Sequence, residues 1–187
     1  MIKRAFDLFL SLAMILILLL IILTVAILIK TTSNGPIFFW SNRVGKNNIL
    51  FKMPKFRTMH LSTPAVATHL LKNPSQYLTP IGSFLRRTSL DESPQLWSIL
   101  VGDMSFVGPR PALFNQYDLI KLRTSKGIHH LVPGLTGWAQ VNGRDHLSIA
   151  EKVNFDAEYL KKKSFIFDLK ILHLTFIKII RREGIQH

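Results

Sequence analysis

The sequence predicts a mainly α, α+β protein: an N-terminal membrane helix, then a compact, largely helical domain with a small β-hairpin and interfacial amphipathic helices. Leu8 to Ile29 runs for 22 residues without a charge, reaching about 33 Å as a helix against a hydrocarbon core of about 30 Å. Strand-like sequence is confined mainly to residues 37–53. Most of the rest reads at helical spacing, punctuated by Gly and Pro. At 187 residues there is room for one domain with a real core, and not for two of ordinary size.

Lysine and arginine number 24 against 11 acidic residues, a formal excess of 13. So basic a chain expects nucleic acid, an anionic membrane surface or a phosphorylated substrate as partner. The apolar run favours the membrane over nucleic acid. With no cysteine, disulfides, thiolate nucleophiles and cysteine-ligated zinc are excluded.

The elements follow in order. Lys3-Arg4-Ala5-Phe6-Asp7 is a charged collar before the apolar run. That run exceeds a signal-peptide core, and no small-x-small cleavage site precedes Lys30. Cations are denser after it (Lys30, Arg43, Lys46, Lys52, Lys55, Arg57) than before it (Lys3, Arg4), which places the body on the cytoplasmic face. A helix that returns to the same face needs a break, and Leu18-Leu19-Leu20-Ile21 offers no Pro or Gly. Spanning and re-entrant helices both stay open on this evidence. Residues 1–30 are thus expected as the membrane-inserted helix and 31–187 as the body.

Thr31 to Pro36 has turn chemistry. Ile37-Phe38-Phe39-Trp40 and Ile49-Leu50-Phe51-Lys52-Met53 read as a hairpin with a long loop over 42–48. Residues 60–78 show no sustained period and read as the most adaptable stretch. Thr79-Pro80 starts a short helix running to about Arg87. The next helix starts at Pro94, with Ser93 as its N-cap, and ends at Gly102. A polar helix is expected over 113–126 and another over 145–163. The tail over 165–182 is amphipathic, with Phe165, Leu169, Leu172, Phe176 and Ile179 on one stripe. Such a stripe suits packing on a core or lying in a lipid interface.

For chemistry, histidine-bound metal is excluded first. The seven histidines lack HExxH or HxH spacing, and His129 and His130 point apart on regular backbone. There is no P-loop, no GxGxxG and no nucleophile elbow. What remains is carboxylate and cation chemistry. Asp91-Glu92 lies between Arg86-Arg87 and the helix beginning at Pro94, just outside an N-terminus that favours negative charge. Asp91 suits a nucleophile on phosphorus or a hard oxygen ligand for Mg²⁺. Lys55, Arg57, Arg86, Arg110 and Arg144 are the available counter-charges, in segments stiffened by Pro, Gly or helix ends. Gly134, Gly137 and Gly143, with Trp138 among them, indicate close backbone approach to a ligand or tight turning in the core. Alone, the acidic pair reads equally as a surface charge cluster.

The motifs in order resemble the bacterial sugar transferases of the small monotopic phosphoglycosyl transferase family over essentially the whole chain. The resemblance rests on Lys3-Arg4-Ala5-Phe6-Asp7, Gly35-Pro36-Ile37-Phe38-Phe39, Lys55-Phe56-Arg57-Thr58-Met59, Leu85 to Glu92, Pro94-Gln95-Leu96-Trp97, Gly102-Asp103-Met104-Ser105, Val107 to Pro111, Pro133 to Arg144 and Asp168-Leu169-Lys170. It implies transfer of a phospho-sugar from a UDP-sugar to polyprenol (undecaprenyl) phosphate at the bacterial inner membrane, releasing UMP. By that likeness Asp91 attacks the β-phosphate and forms a phosphosugar–aspartyl intermediate. Glu92 assists, as base toward the acceptor phosphate, and Mg²⁺ binds near Asp91. Arg86 and Arg110 hold phosphate or nucleotide, with Lys55, Arg57 and Arg144 placed more loosely as substrate-binding groups or structural partners. The family usually has Ser-Pro midway along its membrane helix, turning it back; here Leu19-Leu20 stands there. The competing reading is a non-catalytic, membrane-tethered basic module for anionic lipid or nucleic acid, which has no use for Asp91-Glu92 amid arginines. No motif names the sugar, the polyprenol length or the oligomeric state; residues 60–78 and 112–130 are where selectivity is expected.

Overall fold

The computed structural model describes residues 2–64 and 73–181. Residues 65–72, within the stretch expected to be most adaptable, and 182–187 lie outside the described residues.

Helix α1 (Ile2–Thr32) is a continuous helix of 31 residues, unbroken through Leu19-Leu20. By length and composition it is able to cross a membrane. One of its faces is docked along its length. Asp7, Ser11, Val25 and Ile29 are buried, and Leu10, Met14, Ile15, Leu18, Ile22 and Ala26 pack partly buried against two cores. These positions recur at three- and four-residue intervals, a single stripe on a helix. The opposite face exposes Phe9, Leu16, Ile17, Leu20 and Ile27.

The charged collar fixes the near end of α1. Lys3 Nζ pairs with Asp168 at 2.5 Å and donates to the Val107 carbonyl at 2.9 Å. Asp7 accepts the Phe106 N–H at 3.1 Å.

Strands β1 (Phe38–Val44) and β2 (Leu50–Phe56) form the expected hairpin, registered from Phe38↔Phe56 to Val44↔Leu50. Its loop is shorter than expected. β1 continues through Asn42, Arg43 and Val44 because β4 (Ala112–Leu113) pairs along its other edge, Arg43↔Leu113 and Val44↔Ala112. Strands β3 (Ser105–Val107) and β5 (Gly134–Thr136) add a parallel pair. Runs of two or three residues are too short to show a period of two, so sequence reading missed them.

Helix α2 (Gly82–Arg87) begins later than Thr79-Pro80: the Gly82 N–H bonds the Thr79 carbonyl at 2.8 Å, closing a turn before the helix. Helix α3 (Gln95–Val101) ends as expected at Gly102, whose φ of 102° only glycine adopts readily. Arg4 adds to this end, donating to the carbonyls of Ile99 and Leu100 at 2.6 and 2.7 Å. Helix α4 (Tyr117–Ser125) starts late because residues 113–116 close β4, the Gln116 side chain accepting the Leu113 N–H. After the short α5 (Trp138–Val141), α6 (Ile149–Lys162) opens on a reciprocal cap between Ser148 and Glu151. Ser148-x-x-Glu151 was a legible signal for that start; the expected start at 145 is instead a turn.

Helix α7 (Phe165–Arg181) leaves most of the expected stripe exposed, as the second of its two readings required. It buries Asp168 and Ile171, while Ile166, Leu169, Phe176, Ile179 and Ile180 stay exposed. Polar residues anchor it inward: Asp168 accepts from Tyr159 as well as Lys3, and Thr175 bonds Thr136. His129 and His130 also differ from expectation. The turn at Ile128–His130 is 3₁₀, and it brings the two rings together at 3.9 Å between centroids.

The glycines resolve toward tight turning in the core. β3 and β5 meet where Gly108, Gly134 and Gly137 lie backbone against backbone. A Cβ on Gly134 would overlap the Gly108 backbone, and one on Gly137 the Gly108 carbonyl. Overpacking a rigid crossing costs about 1–3 kcal/mol or more. Gly134→Ala is therefore expected to lower the melting temperature by roughly 5–10 °C, at about 2–4 °C per kcal/mol for a chain this size, measured by thermal unfolding.

Candidate active site

The acidic pair lies in a 3₁₀ turn, Leu90–Glu92, entered through Ser89 at φ 55°. Ser93 is not the helix cap. Its hydroxyl donates back to the Leu90 carbonyl at 2.8 Å, and the chain passes through Ser93 in helical conformation to Pro94, which caps α3. A serine that closes the preceding turn has no oxygen placed for the next N-terminus. Asp91 is buried, and the Glu92 side chain is 17% exposed.

Several elements converge on Glu92. From β2, Lys55 Nζ reaches Glu92 Oε1 at 2.6 Å. From the turn after β3, Arg110 Nη2 reaches the same oxygen at 3.4 Å. Burial alone would raise the Glu92 pKa, but Lys55, Arg110 and Arg144 together pull it far below the ordinary 4.5. So strongly held an anion is a poor proton acceptor, which weighs against a base and in favour of an anchor for cations.

Asp91 goes the other way. Burial pushes its pKa up, the Glu92 charge adds to this, and Lys55 and Arg86 oppose it. Arg86 stands beside Asp91 with Nε donating to the Thr58 hydroxyl at 3.0 Å, and burial lowers its own pKa against the pull of Asp91. Neighbouring carboxylates in one turn are thus driven apart in proton affinity, a pattern of functional sites.

Arg57 does not join this group. It is buried, its Nη1 donating to the Asn34 carbonyl and its Nη2 to the carbonyl and hydroxyl of Ser33. It closes the C-terminal end of α1, where helix carbonyls lack partners. The sequence left it open between substrate binding and a structural role, and these contacts favour the second. The Arg57 N–H still follows the hairpin, bonding the Ile37 carbonyl, but its side chain turns to the end of α1.

Sequence reading also missed the groups that hold the Arg110 turn. Arg43 donates to the Pro111 carbonyl at 3.1 Å, and burial together with Arg110 brings its pKa down to about 10, Glu92 opposing. Arg123 donates to the Arg110 carbonyl at 2.8 Å and pairs with buried Asp156 at 2.7 Å. These partners are far apart in the chain, beyond the reach of local motif reading.

The family model for bacterial sugar transferases matches residues 1–182. The chain belongs to the bacterial sugar transferase family. It is 40% identical over 186 residues to the UDP-glucose:undecaprenyl-phosphate glucose-1-phosphate transferase of Escherichia coli, covering 95% of this chain and 40% of that protein. It is 39% identical to the sugar transferase EpsL of Bacillus subtilis, over 99% of this chain and 90% of EpsL. It is 34% identical to the undecaprenyl-phosphate galactose phosphotransferase of Salmonella typhimurium, over 98% of this chain and 41% of that protein. The sugar transferase chain thus spans about two fifths of some relatives and nine tenths of another.

The site predicts opposite stability effects for its two carboxylates. Asp91→Asn removes a charge that burial disfavours, so its melting temperature should rise above that of the unmodified chain at neutral pH. Glu92 has a depressed pKa, so its stabilisation is present above about 4.5 and is lost as pH falls below that value. Glu92→Gln should be less stable at pH 7, with the difference shrinking below pH 4.5, as read by denaturant unfolding across pH.

Proposed function

We propose that this sugar transferase moves a sugar phosphate from a UDP-sugar to polyprenol (undecaprenyl) phosphate, releasing UMP and forming a polyprenyl-diphosphate sugar, the first membrane step of glycan assembly. The observation that carries this is the division between the two carboxylates. Glu92 is occupied by Lys55 and Arg110, while burial raises the Asp91 pKa and disfavours its charged form. A desolvated carboxylate among cations is suited to attack phosphorus.

In the first step, an Asp91 carboxylate oxygen bonds to the phosphorus bearing the sugar. The bond from that phosphorus to the bridging oxygen breaks, and UMP leaves with the electron pair. In the second, a phosphate oxygen of the polyprenol phosphate attacks the same phosphorus, and Asp91 departs as carboxylate. Arg86, Arg110 and Arg144 offset phosphate charge in both steps, and Glu92 keeps Lys55 and Arg110 in place. Mg²⁺ commonly takes one or two carboxylates and completes its shell with substrate phosphates. Asp91, a buried carboxylate beside Lys55 and Arg86, would be the protein ligand in that mode. The chemistry the ion would supply is neutralisation of the diphosphate.

The docking of α1 supports a placement on the membrane. Its inward face meets the body from Lys3 to Ile29, about 39 Å of axis. Charged groups lie against both ends: Lys3 with Asp168, and Arg57 at Ser33. Standing upright across a hydrocarbon core of about 30 Å, the helix would draw into lipid the part of the body docked between those ends, α3 and the loops around it included. The proposed arrangement keeps both ends of α1 on the cytoplasmic face of the inner membrane. Its exposed apolar face, with that of α7, then sits in the acyl boundary.

Two experiments test the proposal. UMP release should be assayed with UDP-glucose and UDP-galactose first, given the relatives' names. Asp91→Asn should abolish it, and a trapped phosphosugar adduct should map to Asp91; undiminished release by the variant would reject the nucleophile and favour a binding module. The chain has no cysteine, so Ile2→Cys gives a unique probe. It should resist an impermeant thiol reagent in intact cells and react after permeabilisation, whereas labelling in intact cells would establish a spanning α1.

A further inference from the structure

The turn carrying Arg110 has an unusual support. Pro109 and Pro111 have no N–H to give, so the turn is held chiefly through its carbonyls. Three consecutive carbonyls each accept from a different part of the chain. Pro109 accepts the Gly134 N–H at 2.9 Å, Arg110 accepts Arg123 Nη1 at 2.8 Å, and Pro111 accepts Arg43 Nη1 at 3.1 Å. The side chain that this backbone aims, Arg110, reaches Glu92 at 3.4 Å.

Of these supports, Arg123 has the most restricted geometry. Its Nε and Nη2 both donate to Asp156 Oδ2, at 2.9 and 2.7 Å, leaving Nη1 directed at the Arg110 carbonyl. Asp156 is 1% exposed. All three guanidinium nitrogens are committed, so α4 and α6 together hold one donor at one carbonyl. Buried ion pairs are often no more stabilising than apolar side chains of the same size. Packing α4 on α6 therefore gives little reason for this pair. Orienting the Arg110 turn does, because an apolar replacement has no N–H to offer.

We infer that Arg123, anchored by Asp156, is a positioning residue for the transfer reaction: through the Arg110 carbonyl it fixes the Pro109–Pro111 turn so that the Arg110 guanidinium meets the phosphate beside Glu92. The inference rests on the reading under Proposed function. Lysine cannot replace Arg123, since a single ammonium does not present the planar fork that serves Asp156 and the carbonyl together.

A double-mutant cycle tests this on the full chain in lipid or detergent. Arg123→Lys is measured alone and on an Arg110→Ala background. UMP release and UDP affinity are both scored, so a variant with low turnover still gives a value. Misplacement by about 1 Å costs up to roughly a hundredfold; Arg123→Lys alone should lower kcat/KM or UDP affinity by about tenfold. With Arg110 absent there is nothing left to aim, and the same change should cost less than about twofold. An equal loss on both backgrounds would assign Arg123 to general stability and overturn the inference, as would no loss on either. If Arg123→Lys does not fold, as shown by thermal unfolding, Asp156→Asn takes its place in the cycle. Absence of UMP release by the unmodified chain would reject the transferase reading itself. A working enzyme with an additive cycle would reject only the role of Arg123.

Discussion

The anion of Glu92 is the constraint on which the site depends. It draws Lys55 from β2 and Arg110 from the turn after β3 to one oxygen, and the positive charge of Arg144 acts on it as well. Cations gathered around a phosphate site repel each other when the phosphate is absent. A fixed carboxylate among them lets the site exist before substrate arrives, which is preorganisation in electrostatic form. Asp91, one residue away, bears the opposite effect: its surroundings disfavour its charge. Stability and reactivity are thus divided between adjacent positions.

The formal excess of 13 positive charges looks at first like a surface made for an anionic partner. Much of it is spent internally. Arg4 closes α3, Arg57 closes α1, Arg43 and Arg123 hold the Arg110 turn, and Lys3 ties α1 to α7. Arginine suits this work because one planar group serves two carbonyls, or a carbonyl and a carboxylate. Net charge alone overstates what is left for partners.

This use of arginine also explains what was legible in the sequence. The long apolar helix, the hairpin, the end of α3 at Gly102 and the Asp91-Glu92 pair could all be read from local signals. Arg57 could not, because its partners Asn34 and Ser33 lie 23 and 24 positions earlier. Ser93 looked like a cap by type, but its hydroxyl is used by the turn before it. Arg123 and Asp156 lie 33 positions apart, and Arg43 is 68 from Pro111. Such pairings follow from tertiary geometry, so a pattern confined to one segment does not reveal them. The glycine crossing was read as one of two alternatives, and only the opposing Gly108 backbone decides between them.

The tie between Lys3 and Asp168 joins residues 165 positions apart. On the ribosome the first member emerges long before the second exists. Until α7 is made, the inward stripe of α1 and the pocket for Ile171 have only part of their final neighbours. Helix α7 therefore acts as a latch, made after the elements that it fastens. A chain halted before residue 168 would carry Asp91 and Glu92 yet lack the fastening that holds α1 to the body.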